Sequence, residues 1–170
     1  MSTEKKVQLL NDDEIRQKTR RMAYQIVESN FDAKELILIG IHHNGLEYAR
    51  QLKTEIEGIG SSTVLLMPLS LDKKHPLQHD IKLDNANKSL DNKTVIVVDD
   101  VANTGKTLYY ALKPVMEYAP KKVQVVVLLD RQHKLFPITP DFVGLSLSTT
   151  MQEHIEVEFD EKGKARAFLV

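Results

Sequence analysis

The stretch Thr94-Val-Ile-Val-Val-Asp-Asp-Val-Ala-Asn-Thr-Gly-Lys-Thr107 constrains this chain more than any other. A β-branched apolar run ends in Asp99 and Asp100. A Thr/Gly/Asn-rich turn follows, and Leu108, Ala111, Leu112, Val115 and Met116 then recur at helical spacing. The pattern predicts a buried strand over 94–98, a tight loop, and a helix over 107–118. Loop amides next to a helix N-terminus make an anion site. The Thr104 and Thr107 hydroxyls add hydrogen bonds, and Gly105 lets the backbone come close. Acidic groups at a strand's carboxyl end stand where open α/β sheets bind ligands. Carboxylates beside a phosphate cradle suit a molecule that carries both a phosphate and a diol, which is to say a phosphorylated sugar. A Walker A loop is excluded, since only its Gly105-Lys106-Thr107 end is present. The chain also has no Gly-x-Gly-x-x-Gly, so a dinucleotide site is not supported.

The rest of the chain reads as one α/β domain over 1–170, with 42% hydrophobic and 28% charged residues. Asn11 with Glu14 forms a capping box before a helix over 12–29, whose stripe is Ile15, Met22, Ala23, Ile26 and Val27. Leu36–Ile39 is a short buried strand, and a helix with Leu46, Ala49, Leu52 and Ile56 on one face follows it. Further strands are expected from Ser62 to Leu71, from Lys122 to Leu129, and around Phe142. Residues 155–159 and 165–170 read as a terminal hairpin. Residues 72–91 are polar and aperiodic, as expected of a flexible loop or arm. Strands alternating with helices imply a mostly parallel sheet.

A second glycine-bounded turn, Gly40-Ile-His-His-Asn-Gly45, repeats the strand–turn–helix logic and is a second candidate anion loop. The net charge of −1 gives no global pull toward nucleic acid or membrane, and the absence of cysteine removes thiolate chemistry. The N-terminal Met-Ser-Thr-Glu-Lys-Lys has no apolar signal region, so a cytoplasmic protein is expected, with no membrane partner.

The order apolar strand, Asp-Asp, short loop, Thr-Gly-x-Thr resembles the PRPP-binding loop of type I phosphoribosyltransferases. Within that family the chain resembles the PyrR group, uracil phosphoribosyltransferases that in some bacteria also bind pyrimidine-operon mRNA. The likeness rests on Asp130-Arg-Gln-His133 followed by Leu135-Phe-Pro-Ile138, on the stretch ending at Arg16, and on Glu156-Val-Glu-Phe-Asp-Glu161. Pro140-Asp-Phe-Val-Gly144 is shared with hypoxanthine-guanine phosphoribosyltransferases. The chain departs from PyrR in three places. Leu71-Asp-Lys-Lys74 replaces a Tyr-Arg-Asp-Asp-like sequence, His42-His-Asn44 replaces Lys/Thr-Arg-Gly, and Arg20 and Tyr24 stand where RNA-binding members carry Thr and His.

The resemblance implies a central mostly parallel sheet flanked by helices, with a flexible arm and a small hood made of about 130–150 plus the termini. It also implies transfer of the 5-phosphoribosyl group from PRPP to a nucleobase, uracil before hypoxanthine or guanine. Mg²⁺ is expected to be held mainly by PRPP and water, with no protein ligand assigned. Asp99 and Asp100 would hold the ribose hydroxyls or metal-bound water, and Asp100 is also a candidate base. Val101, Ala102, Asn103, Thr104, Gly105, Lys106 and Thr107 would cradle the 5-phosphate. Ile41, His42, His43, Asn44, Gly45 and Arg131 would meet pyrophosphate, and Asp130 the nucleobase. Lys73, with Lys74 and His75, would close over the diphosphate as a catalytic group on the arm. RNA is a further implied partner, and the basic residues Arg16, Lys18, Arg20, Arg21, His133 and Lys134 are the groups available for it. Arg16 and Arg20 share one helix face while Lys18 and Arg21 share another, so the cluster is wide rather than a stripe and a solvated face is the better reading of it. A homodimer or higher homo-oligomer is implied too, and the apolar hairpin residues Val157, Phe159, Phe168, Leu169 and Val170 need a surface to pack on.

Overall fold

The structure is a computed structural model that describes residues 6–170. Its elements are β1 (Val7–Leu10), α1 (Asp12–Ser29), β2 (Glu35–Ile41), α2 (Asn44–Ile59), β3 (Thr63–Ser70), β4 (Lys82–Leu83), β5 (Thr94–Ala102), α3 (Lys106–Val115), β6 (Lys122–Arg131), β7 (Phe142–Leu147), β8 (Ile155–Phe159) and β9 (Ala165–Leu169). The main sheet has the order β4-β3-β2-β5-β6-β7 and is parallel throughout except for β4.

The central strands read as unbroken apolar runs because both faces of the sheet are covered. Leu36, Leu38, Ile96, Val98, Val126 and Leu128 pack with α1 and α2. Their alternates Ile37, Ile39, Val95, Val97, Val125 and Val127 pack with Leu108, Ala111 and Val115 of α3. The capping box of α1 forms as expected. Glu14 N–H donates to Asn11 Oδ1 at 2.9 Å, and Asn11 N–H donates to Glu14 Oε2 at 2.8 Å. Asp12, Asp13 and Glu14 set negative charge against the positive end of the helix dipole.

Several expected boundaries move. β2 extends through Gly40 and Ile41, and β5 runs four residues past Val98, so Asp99 and Asp100 lie inside the strand. β6 supplies the reason: Val101 pairs with Leu129 and Ala102 with Asp130, so ladder bonds outweigh the weak strand preference of aspartate. α3 ends at Val115, one residue past Pro114. The arm is not wholly irregular, since β4 pairs antiparallel with β3 through Leu69–Leu83 and Ser70–Lys82.

The hood differs from the expectation. Residues 142–147 are not hood but the edge strand of the main sheet, paired with β6. The hood is a second sheet of order β1-β9-β8, made from both ends of the described chain. Ile155, Val157, Ala165 and Ala167 are buried in the core shared with α1 and α2. The hairpin therefore packs on its own chain and does not by itself require a neighbour. Across the molecule, the Arg21 guanidinium donates to the carbonyls of Val143 (3.1 Å) and Gly144 (2.7 Å) on β7.

Candidate active site

The carboxyl ends of β2 and β5 lie side by side, and α2 begins against them. The link is tight. A Cβ on Gly45 would fall 2.8 Å from Asp99 Oδ1 and 2.9 Å from the Val98 carbonyl oxygen, so only glycine admits the helix start this close. The His42–His43 peptide is cis.

Asp99 is 1% exposed and Asp100 7%. Asp99 Oδ1 accepts the Asp100 N–H at 2.9 Å and faces Lys73 Nζ at 3.4 Å, while its Oδ2 is buried with no partner among the described residues. Burial, and then the neighbouring Asp100 charge, push the Asp99 carboxyl well above its usual range, and Lys73 opposes that shift. A carboxyl raised in the folded state gives full stability below its unfolded value of 3.8 and loses it as pH rises toward the folded value. Asp99→Asn removes the ionisation. Its thermal midpoint is expected to exceed wild type at pH 7–8, by ~2–4 °C per kcal/mol relieved. The gain should vanish below pH 3.8. Melting curves of both proteins from pH 3 to 8 measure the difference, and a variant less stable than wild type at neutral pH refutes the account.

Three hollows adjoin one another here: Lys73 lines all of them, and Asp100 lines two. The largest, about 680 Å³, is lined by His42, His43, Asp72, Lys73, Lys74 and Asp100 among others. A second of about 300 Å³ lies between Asp100, Val101 and Asn103 on one side and Ile155–Glu158 of β8 on the other. The smallest, about 80 Å³, is enclosed by residues 101–108 and Lys73. It is the cradle read from the sequence. Gly105 caps α3 at φ +84°, and Thr104 Oγ1 accepts the Lys106 N–H at 3.3 Å. The Leu135 and Phe136 amides bind the Thr104 carbonyl at 2.9 and 3.1 Å, so the segment after β6 clamps this loop from outside.

A small hollow at a helix N-terminus, two strand-borne carboxylates and a cation-lined mouth together form a site for a phosphorylated sugar with a second anionic group. The sequence matches the phosphoribosyl transferase domain profile over residues 7–162. The chain belongs to that family. Proteins named bifunctional protein PyrR are similar to it. The one from Alkaliphilus metalliredigens is 35% identical across 94% of this chain and 92% of its own length, and that of Synechocystis sp. is 36% identical across 89% and 88%. Among solved structures, the hypoxanthine phosphoribosyltransferase of Trypanosoma cruzi superposes with a TM-score of 0.78 at 18% identity, covering 95% of each chain. A hypoxanthine-guanine phosphoribosyltransferase of Bacillus anthracis gives 0.68 at 21%, covering 83% and 82%. These share the fold. The type I phosphoribosyltransferase fold and the likeness to PyrR expected from the sequence are thus both found.

Within this phosphoribosyltransferase fold, His42, His43 and Asn44 stand beside Asp100, residues 101–107 line the cradle, and Lys73 reaches both from the arm. Ile41 is buried in the core that includes α3, and Asp99 and Gly45 lie against each other behind the hollows. Arg131 and Asp130 stand elsewhere. The Arg131 guanidinium, 9% exposed, donates to the Thr149 hydroxyl and to the Thr150 carbonyl (2.6 Å), so it anchors the segment after β7 rather than lining the hollow of His42 and His43. Asp130 pairs with Lys134, which also donates to the carbonyls of Arg131 (2.9 Å) and Asn103 (3.4 Å). That trio ties the end of β6 to the cradle, and Asp130 lines none of the three hollows described. Sequence reasoning did not find the part played by β8. Its alternation signals packing but carries no sign of an adjoining cavity.

Proposed function

We propose that this phosphoribosyltransferase joins uracil to the ribosyl C1 of PRPP, giving UMP and pyrophosphate. The observation that carries the transfer reading is that three differently furnished hollows adjoin at Lys73, two of them sharing Asp100. The 5-phosphate fits the 80 Å³ cradle, the diphosphate the hollow with His42, His43, Lys73 and Lys74, and a planar base the 300 Å³ cleft under β8. Uracil is favoured because the proteins similar along the sequence are named PyrR, whereas the hypoxanthine enzymes share the fold at 18–21% identity.

A base nitrogen attacks C1 as the C1–O bond to diphosphate breaks, and the electron pair leaves with pyrophosphate. Asp100 faces the ribose and receives the proton released by the base. Thr104, Lys106 and Thr107 hold the 5-phosphate against the first turn of α3. Lys73, which rests on Asp99 in the free protein, swings to the diphosphate as negative charge builds there. Closure of 72–91 over the site excludes water. Among the described residues no group of three or more His, Asp or Glu side chains suits a metal ion. The Asp100 carboxylate, on the wall of a cavity sized for a diphosphate, fits Mg²⁺, which takes few protein ligands, keeps its waters and neutralises a leaving diphosphate. Asp100 would hold it through water.

The test is a PRPP-dependent pyrophosphate-release screen with and without Mg²⁺ across uracil, hypoxanthine, guanine, xanthine and orotate. Turnover restricted to a purine would replace the uracil assignment, and no turnover with any base would sink the transfer reading. Thr104→Val keeps shape but removes a hydroxyl from the cradle. It should weaken PRPP binding by ~1.5–3 kcal/mol, or roughly 10- to 150-fold, measured by calorimetry. Unchanged affinity would place the phosphate elsewhere.

Two further readings concern partners. The relatives' names call them bifunctional, and an RNA-binding role is the second candidate. The cluster available for it is partly committed, because Arg21 is bonded to β7 and Arg16 pairs with Asp12 at 3.3 Å. A gel shift with operon leader RNA over a salt series decides it. A homo-oligomer is the expected assembly, measured by sedimentation. Among the described residues no helix is long and apolar enough to cross a membrane.

A further inference from the structure

Asn44 opens α2 and stands between two elements distant in sequence. Its amide Nδ2 donates to Asp100 Oδ2 at 3.1 Å and to the Val157 carbonyl oxygen at 2.8 Å. An amide nitrogen carries two protons, and both are committed. The remaining polar atom, Oδ1, is an acceptor, which repels an anion. The side chain is therefore not furnished to bind diphosphate, whatever its backbone N–H does.

Its two acceptors lie on opposite walls of the 300 Å³ cleft. Asp100, Val101 and Asn103 form one wall, and Ile155–Glu158 of β8 form the other. β8 is an outer strand of the hood sheet, paired only with β9 among the described strands. Nothing in the ladder of the main sheet fixes its distance from β5. Asn44 supplies a direct polar tie, 113 residues away in sequence from Val157 and 56 from Asp100.

We propose that Asn44 is a positioning residue that sets the width of the nucleobase cleft by pinning β8 to Asp100, and that it holds the Asp100 carboxylate in its reacting orientation. The proposal rests on the transfer reading for the identity of the cleft, but the tie itself does not. Losing the tie loosens β8 in the free protein, widens the cleft for the base, and leaves the cradle at 101–108 as it was.

The experiment compares wild type with Asn44→Ala and Asn44→Asp. The aspartate keeps the shape but sets an acceptor against two acceptors. Hydrogen exchange on ligand-free protein should show the amides of 155–159 exchanging at least about tenfold faster in both variants, with the buried turns of α2 unchanged. With PRPP and uracil, the KM for the base should rise at least about tenfold and kcat fall, while calorimetric PRPP affinity stays within about twofold. Unaltered exchange at 155–159 in both variants overturns the proposal. So does a large loss of PRPP affinity with an unchanged KM for the base, which would make the side chain a diphosphate ligand. Should both variants unfold, Asn44→Gln retains the donors on a stem longer by one methylene. A shifted KM for the base with intact PRPP affinity then supports the spacer role, and a shifted PRPP affinity alone refutes it. If wild type turns over no base, the exchange measurement decides the tie independently of the assigned activity.

Discussion

Asp100→Asn is expected to lower kcat/KM for PRPP by about 10²–10³ while leaving the fold intact. The carboxylate lies where the two larger hollows meet, 7% exposed, with Oδ2 held by Asn44. An asparagine side chain can still accept that bond through its own oxygen, so the packing around residue 100 persists. It cannot take a proton from the base, and it brings no negative charge to a ribosyl centre that becomes cationic as the leaving group departs. Steady-state kinetics should show a fall dominated by kcat, and thermal melting should stay within a few degrees of wild type. Near-normal turnover would remove Asp100 from the chemistry, and a collapsed variant would show that its role is structural.

Gly105→Val is expected to lose PRPP binding by more than about 100-fold and to cost ~2–4 kcal/mol of stability. Gly105 has φ +84°, and a β carbon there would sit 2.8 Å from Ile138 Cγ2. A β-branched residue is a strong outlier at such an angle, so the loop must rearrange to relieve it. That rearrangement destroys the amide geometry at the start of α3 and pushes off the segment that clamps Thr104. Calorimetry with PRPP and urea unfolding measure the two parts. The double variant with Ile138→Ala removes the clash but not the backbone strain, so it should recover only part of the stability. Wild-type PRPP affinity in the single variant would show that the cradle does not hold the ligand.

The sequence exposed whatever is encoded over short distances. α1 was bounded at 12–29 because Asn11 and Glu14 are three residues apart and report on one turn. The cradle was legible because its strand, loop and helix are contiguous. The strands of the centre were visible because burial on both faces demands apolar runs, and β5 was cut short for the same reason: two acidic residues look like an end unless β6 is known to continue beside them. What stayed hidden depends on partners far along the chain. β1 is four residues whose ladder partner is β9. The Lys134–Asn103 and Asn44–Val157 bonds span 31 and 113 residues, and no periodicity marks them. The family resemblance sets Arg131 at pyrophosphate and Asp130 at the base, whereas their partners here, Thr149, Thr150 and Lys134, come from the way the chain turns after β6 and β7.

The contact between Arg21 and β7 bears on self-association. An open sheet presents unpaired amides and carbonyls along its two outer strands, and another chain can template onto them. Here one outer strand, β4, is two residues long, too short to seed such growth. On the other, a guanidinium already occupies the carbonyls of Val143 and Gly144, and an incoming strand would have to displace a charge. Removing that charge, as in Arg21→Ala, leaves a six-residue edge open to solvent. Strand-on-strand growth from the main sheet therefore meets a short strand at one edge and a bonded guanidinium at the other.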